Sequence, residues 1–182
     1  MAFQLSALIV QGDYTGDPKA VFESLGFPDG VRAGKVSFIE ATSPQPSTRM
    51  IGSNGEWTMI TDAMPFVSFT RTSPVGSLWG REVVQFLREA SGDGKRSFGF
   101  VMSKLSSNYG FSLHQDGQHV RSLLAQMGNI LVSEGNPLEA EDKVAKTGNK
   151  ELAIFQLMEE LEIPFHGFEA VRFHYFAYER SE

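Results

Sequence analysis

One stretch of the sequence decides the fold: Asn108-Tyr-Gly-Phe-Ser-Leu-His-Gln-Asp-Gly-Gln-His-Val-Arg-Ser-Leu-Leu-Ala125. Its centre, Asp116-Gly117, suits the positive φ angles that a two-residue type I′ turn requires. Apolar and polar residues alternate on both sides of this turn, which is typical of half-buried strands. The stretch therefore predicts a β-hairpin with strands over 108–114 and 118–125.

The rest of the chain mixes strands and helices without a strict alternation. Periodicity and turn residues predict further strands at about 3–10, 35–40, 56–61, 96–103 and 170–178, and helices at about 18–25, 78–90 and 149–162. Residues 129–147 are rich in glycine, proline, asparagine and acid, and we expect a long loop there. The prediction is an α+β fold, with a mainly antiparallel sheet of about seven strands and three helices packed on it, forming a single domain over 1–182.

Composition and charge exclude several classes of protein. The chain has 182 residues, a net charge of −6 and no cysteine, and 41% of its residues are hydrophobic. The absence of cysteine rules out disulfides, thiol catalysis and cysteine-ligated metals. An acidic balance argues against nucleic acid or an anionic membrane surface as a partner, because both attract basic proteins.

The amino-terminal run is apolar enough to raise the question of a secretion signal. It lacks a basic start, and Gln4 and Ser6 interrupt it. No stretch reaches the roughly 18 apolar residues that span a bilayer. We expect a soluble, cytoplasmic protein that has no membrane partner.

The hairpin carries the main candidate site, a pair of histidines. With Asp116-Gly117 as the two-residue loop, His114 faces His119, their Cα atoms roughly 4.5 Å apart. Ser112 and Arg121 come next on the same face, and the opposite face holds Phe111, Leu113, Val120 and Leu124. Two neighbouring imidazoles could ligate Zn²⁺ or place an acid beside a base. The sequence thus makes His114 and His119 candidate metal ligands, with Ser112 and Arg121 completing a candidate ligand-binding site.

The alternative is that both histidines are solvated on an outer sheet face. A metal would need a third ligand, which periodicity does not place, and Arg121 would oppose its charge. If the protein is a metal-dependent hydrolase, the third ligand would come from His166, His174 or the acidic run 134–142. Four carboxylates fall within that run, but the frame of a calcium-binding loop is missing, so solvated acids are the simpler interpretation.

A second motif, Arg96-Ser-Phe-Gly-Phe-Val101, resembles the signature of RNA-recognition motifs, in which two aromatic side chains stack on bases. Ser97 replaces the glycine of that signature, Ser103 stands where a final aromatic is expected, and the net charge has the wrong sign. We therefore expect Phe98 and Phe100 to belong to the core, and we expect no nucleic-acid partner.

Three segments together resemble a pattern in uncharacterised bacterial proteins of unknown function. They are Tyr109-Gly-Phe-Ser-Leu-His-Gln-Asp-Gly-Gln-His-Val-Arg121, Glu134-Gly-Asn-Pro-Leu138 and Gly55-Glu-Trp-Thr58. The resemblance covers about half of the chain and rests mostly on turn and core residues. It implies a small intracellular domain with no assigned activity, and it transfers no site residue.

These observations favour a small binding, regulatory or immunity-like domain over an enzyme, because no recognisable motif combines a nucleophile, a base and an orienting group. We expect no cofactor. The ligand, whether a protein or a small molecule, is not identified by the sequence. Self-association is a further alternative, because the aromatic carboxy-terminal strand could pair with a second copy of the chain if it lay at a sheet edge.

Overall fold

The computed structural model describes residues 4–27, 30–62, 79–103, 107–144 and 150–177. Its centre is one nine-stranded sheet. The strands are β1 (Gln4–Gln11), β2 (Val31–Val36), β3 (Thr48–Ser53), β4 (Trp57–Asp62), β5 (Arg96–Ser103), β6 (Asn108–Gln115), β7 (Gln118–Gln126), β8 (Asn129–Glu134) and β9 (Phe173–Ala177). They follow the order β2-β9-β3-β4-β1-β5-β6-β7-β8, and every neighbouring pair is antiparallel.

Helices pack on both faces of this sheet, so that two apolar cores form. The helices are α1 (Pro18–Ser24), α2 (Phe38–Ala41), α3 (Arg81–Ala90), α4 (Glu139–Val144) and α5 (Lys150–Glu160), and a 3₁₀ turn spans His166–Phe168. Helices α1 and α3 share a core with Leu8, Ile60 and Val101, and we call this side the α3 face. Helices α4 and α5 and the 3₁₀ turn share the other core with alternate residues of the same strands, and we call that side the α5 face.

Local sequence signals explain the elements that were predicted correctly. Asp116 and Gly117 have φ angles of 51° and 71°, as the type I′ turn requires. The side chain of Asp17 accepts a hydrogen bond from the backbone N–H of Ala20, which caps α1, and Pro18 is the first residue of that helix. The α+β class and the antiparallel sheet are confirmed.

The numbers of strands and helices were wrong. Among the described residues there are nine strands and five α-helices instead of seven and three. The loop expected over 129–147 contains strand β8 and helix α4, because Met127 and Gly128 form a second tight turn with φ angles of 48° and 88°. The strand expected over 35–40 ends at Val36, where Ser37 caps the short helix α2.

The two sheet edges are β2 and β8. The carboxy-terminal strand β9 is interior, since it pairs with β2 on one side and β3 on the other. Self-association through an edge formed by this strand therefore has no basis in the described part of the chain. None of the helices there is both long and apolar enough to cross a membrane.

Candidate functional site

The structure places the two histidines as the hairpin predicts. His114 pairs with His119 across β6 and β7, and their rings meet edge to face with centroids 5.3 Å apart. Both side chains lie on the α3 face, because Phe111 and Leu113, which alternate with Ser112 and His114 along β6, belong to the core of the α5 face. The sequence therefore identified a real juxtaposition of imidazoles.

His114 is buried rather than solvated. Only 1% of its surface is exposed, and neither ring nitrogen has a hydrogen-bond partner among the described residues. Its pKa is lowered from 6.5 to about 4, first by burial, then by the nearby charges of His119 and Arg88. The imidazole is thus held in its neutral form at neutral pH. Protonation of the buried ring at low pH would cost stability.

His119 belongs to a short chain of hydrogen bonds. Its Nε2 atom lies 2.8 Å from the Ser122 hydroxyl, which in turn donates to Ser112 Oγ at 3.0 Å. Both serines are buried. The predicted residue Ser112 therefore does adjoin the histidines, and Ser122 joins them in a position where the sequence had placed Arg121.

Arg121 lies on the opposite face of the sheet. The register of the hairpin shifts between Leu113 and His114, so that Leu113 pairs with Arg121 and Val120 is left as an extra residue. Such a β-bulge moves every following side chain of the strand to the other face. The grouping of Arg121 with the two histidines, which assumed an uninterrupted register, is corrected by this bulge.

On the α5 face, Arg121 holds α4 and the segment before it against the sheet. Its Nε and one terminal nitrogen donate to the two carboxylate oxygens of Glu141 at 2.7 and 2.9 Å. The other terminal nitrogen donates to Ser133 Oγ and to the carbonyls of Glu134 and Gly135. Only 3% of the Arg121 side chain and 17% of that of Glu141 are exposed. The hydrogen bond that Arg121 donates to Glu141, together with the charge of that carboxylate, raises the pKa of Arg121 despite burial. We call Arg121 together with Glu141, Ser133, Glu134 and Gly135 the arginine clamp.

Beside the arginine clamp lies a cavity of about 620 Å³ between the sheet and helices α4 and α5. Its described lining is mostly apolar and comes from β6, β7, β8, the segment before α4, and both helices. Its apolar and aromatic side chains include Tyr109, Phe111, Leu123, Ile130, Pro137 and Leu157. A second hollow, of about 630 Å³, is lined in the described part of the chain by α5 and the segment that follows it. The first cavity is the better candidate site, because five elements converge on it.

The proposed third metal ligands lie apart from the histidine pair. His174 on β9 contacts Arg32 on the edge strand β2, and His166 contacts Glu169 within the 3₁₀ region. The acidic run contributes Glu141 to the arginine clamp on the other face. Within the described ranges, no group of three or more histidines, aspartates or glutamates is placed to hold a metal ion.

Sequence reasoning missed two charged partnerships. The acidic run and Arg121 signal a possible ion pair by charge alone, but which carboxylate reaches the arginine depends on how α4 packs. The second is Arg49 with Asp62, which face each other across β3 and β4 with Nε 2.9 Å from a carboxylate oxygen. Both are almost fully buried. The sequence did not reveal this pair, because no strand was predicted over 48–53 and the strand predicted at 56–61 ended before Asp62.

Comparison of the chain with known proteins gives no match, since no family model, no curated protein and no solved structure is significantly similar to it. Its function therefore has to be inferred from its own residues.

Proposed function

We propose that this protein works by binding rather than by catalysis, as a small binding, regulatory or immunity-like domain, and that the cavity on the α5 face is its binding site. The cavity carries the proposal. Its volume of about 620 Å³ lies within the range of roughly 300–1,000 Å³ that is common for ligand sites. Ligand sites of this kind are mostly apolar, with a few fixed polar groups, and the arginine clamp supplies such groups here.

The arginine clamp also indicates what the cavity does not bind. Glu141 neutralises the guanidinium of Arg121 and accepts from two of its nitrogens, while the third nitrogen donates to the Ser133 hydroxyl and to the carbonyls of Glu134 and Gly135. A guanidinium whose charge is already neutralised by a carboxylate offers little to an anionic ligand. We therefore expect the ligand to be recognised through apolar contacts with residues such as Phe111, Leu123 and Leu157. We expect no cofactor.

The test is binding of the neutral fluorescent probe N-phenyl-1-naphthylamine, followed by fluorescence titration. Ala153 lines the cavity from α5, and the substitution Ala153→Trp would fill part of the space. We expect saturable binding to the unmodified protein and binding at least about tenfold weaker in this variant, a loss of about 1.4 kcal/mol.

The matched control is Ala33→Trp on the exposed edge strand β2, which should leave binding unchanged. Circular dichroism and thermal unfolding would show that both variants fold. If Ala153→Trp perturbs the fold, Ala125→Phe fills the same cavity from β7. Absence of saturable binding, or equal binding by filled and control variants, would refute the cavity as the site.

The second candidate function is a metal-dependent, hydrolase-type enzyme that uses His114 and His119. One observation favours it: His114 is buried beside a second imidazole, and both of its ring nitrogens lack hydrogen-bond partners among the described residues. An unpaired buried nitrogen costs free energy, and a metal would offset this cost.

Elemental analysis of protein purified without a histidine tag separates the two candidates. Stoichiometric zinc or nickel that is lost in the double variant His114→Ala/His119→Ala would favour the enzyme and contradict a role in binding alone. Metal-free protein after incubation with zinc and gel filtration would count against the enzyme.

A further inference from the structure

We propose that the ligand of this cavity is an extended polypeptide segment that pairs with the free edge of β8, places apolar side chains in the cavity and carries a basic residue. This inference rests on the function proposed above and specifies the class of partner. It is carried by three features that meet at one place: a sheet edge, an exposed apolar hairpin end and an acidic rim.

The first feature is the sheet edge. Strand β8 is the last strand of the sheet and pairs only with β7 among the described elements. No other described strand pairs with its outer backbone N–H and C=O groups, and sheet edges of this kind commonly bind peptides as an additional strand. The opposite edge is protected by charge, because β2 exposes Arg32 and Lys35. The segment Asn129–Ser133 of β8 carries no charged side chain.

The second feature is apolar exposure at the β7–β8 hairpin. Three of the six large exposed hydrophobic residues in the described chain lie there: Met127 is 77% exposed, Ile130 66% and Leu131 54%. Ile130 belongs to the edge strand and also lines the cavity, so exposed apolar surface at the edge adjoins the cavity. Exposed apolar patches of this kind mark binding surfaces more often than scattered single residues do.

The bulge in β8 indicates where pairing should centre. The register with β7 shifts so that Leu131 is an extra residue, Leu124 pairs with Val132 and Leu123 with Ser133. Leu123 and Ser133 both line the cavity. An added strand that pairs beyond the bulge would therefore lie directly beside the cavity, and every second side chain of it would face the cavity.

The third feature is charge. Glu134 ends β8, Glu139 begins α4, and Asp142 lines the cavity. All three are exposed and none forms an ion pair between described residues, although the charge of Glu139 acts on Lys143. The carboxylates of Glu141 and Glu160 are engaged by Arg121 and Lys143. The acidic rim of Glu134, Glu139 and Asp142 therefore favours a partner with a lysine or arginine beside its apolar residues.

The experiment is selection from a displayed library of random nine-residue peptides against the whole protein. We expect enriched peptides in which apolar residues alternate, at least one basic residue is present, and proline is absent from the middle. A double variant of the rim, Glu139→Gln/Asp142→Asn, should select peptides with less basic charge. No enrichment, or enrichment without alternation, would overturn the proposed partner.

Strand pairing is tested on one selected peptide by methylating its backbone nitrogens in two alternate sets. One set faces β8 and the other faces away, so one should weaken binding at least about tenfold, and the other should change it by no more than about twofold. Equal tolerance of both sets would show that the peptide does not add as a strand. On the protein, Leu131→Lys should weaken peptide binding, whereas Val31→Lys on the opposite edge should not.

The probe N-phenyl-1-naphthylamine separates the two proposals. If the protein binds the probe in the cavity but selects no alternating peptide, the proposed site stands and the peptide partner is rejected. If the protein does not bind the probe, the proposed site is rejected as well. A dimer in size-exclusion chromatography with light scattering that becomes monomeric in Leu131→Lys would show that a second copy of the chain occupies the edge, and would overturn the peptide.

Discussion

The unmodified protein should lose stability at low pH because His114 takes up a proton, and the substitution His114→Leu should abolish this part of the loss. His114 is buried without a hydrogen-bond partner in the described chain, and its pKa is lowered from 6.5 to about 4. Because the folded pKa lies below that of the unfolded chain, the unfolded state binds the proton more readily. The stability contributed by the neutral ring is therefore complete above about pH 6.5 and is lost as the pH falls towards about 4.

The magnitude follows from the two pKa values. Each pKa unit corresponds to about 1.4 kcal/mol, so the full effect is about 3 kcal/mol. Between about pH 7.5 and about pH 4.5 we expect the free energy of unfolding of the unmodified protein to fall by about 2.5 kcal/mol more than that of His114→Leu. At the higher pH the variant should be equally or more stable, because it buries no unpaired nitrogen.

The assay is urea unfolding at several pH values, followed by tryptophan fluorescence. Carboxylates also titrate below about pH 5, so the difference between the two proteins is the quantity to compare. Ser112→Ala, a neighbouring buried substitution that removes no titratable group, should retain the pH dependence of the unmodified protein. Parallel stability profiles for His114→Leu and the unmodified protein would refute the reasoning and show that the ring is solvated or hydrogen-bonded.

Three further substitutions test buried contacts of the fold. Asp62→Asn should lower the free energy of unfolding by about 3–5 kcal/mol in a urea titration, because it removes the carboxylate charge that faces the buried guanidinium of Arg49; a loss within error would show that the pair is hydrated. Glu141→Gln, which breaks the arginine clamp, should cost about 2–3 kcal/mol in the same titration, and Glu160→Gln in an exposed ion pair should cost much less; equal effects would contradict the clamp. Gly99→Ala should cost about 1–3 kcal/mol, measured by thermal unfolding, because a Cβ there would lie 2.7 Å from a tryptophan ring atom; an unchanged transition would show that the indole moves freely.

Prediction from sequence succeeded where the signal was local. The Asp116-Gly117 turn was recognised because these two residues tolerate positive φ, and alternation then placed β6 and β7. Strand β8 was missed because its turn begins with Met127, a residue type that rarely adopts positive φ. The surrounding glycine, asparagine and acid made a loop the simpler interpretation.

The candidate site was predicted only in part for the same reason. The pairing of His114 with His119 needs nothing beyond the turn, and the structure places the two rings together. The position of Arg121 depends on a bulge at Val120, which no residue type announces, and a shift of one residue transfers a side chain to the other face. The cavity depends on how α4 and α5 pack against the sheet, and most of its lining is ordinary core residues.

The sequence by itself determined the α+β class, the hairpin, the facing histidines and the absence of any cysteine chemistry, because turn preferences, alternation and composition act over a few residues. Only the tertiary structure decided that His114 is buried, that Arg121 binds Glu141, and that β8 and its apolar surface form an edge beside a cavity. Burial and charge pairing arise from residues far apart in the chain, twenty positions in the case of Arg121 and Glu141. Such contacts exist only once helices and sheet have packed together.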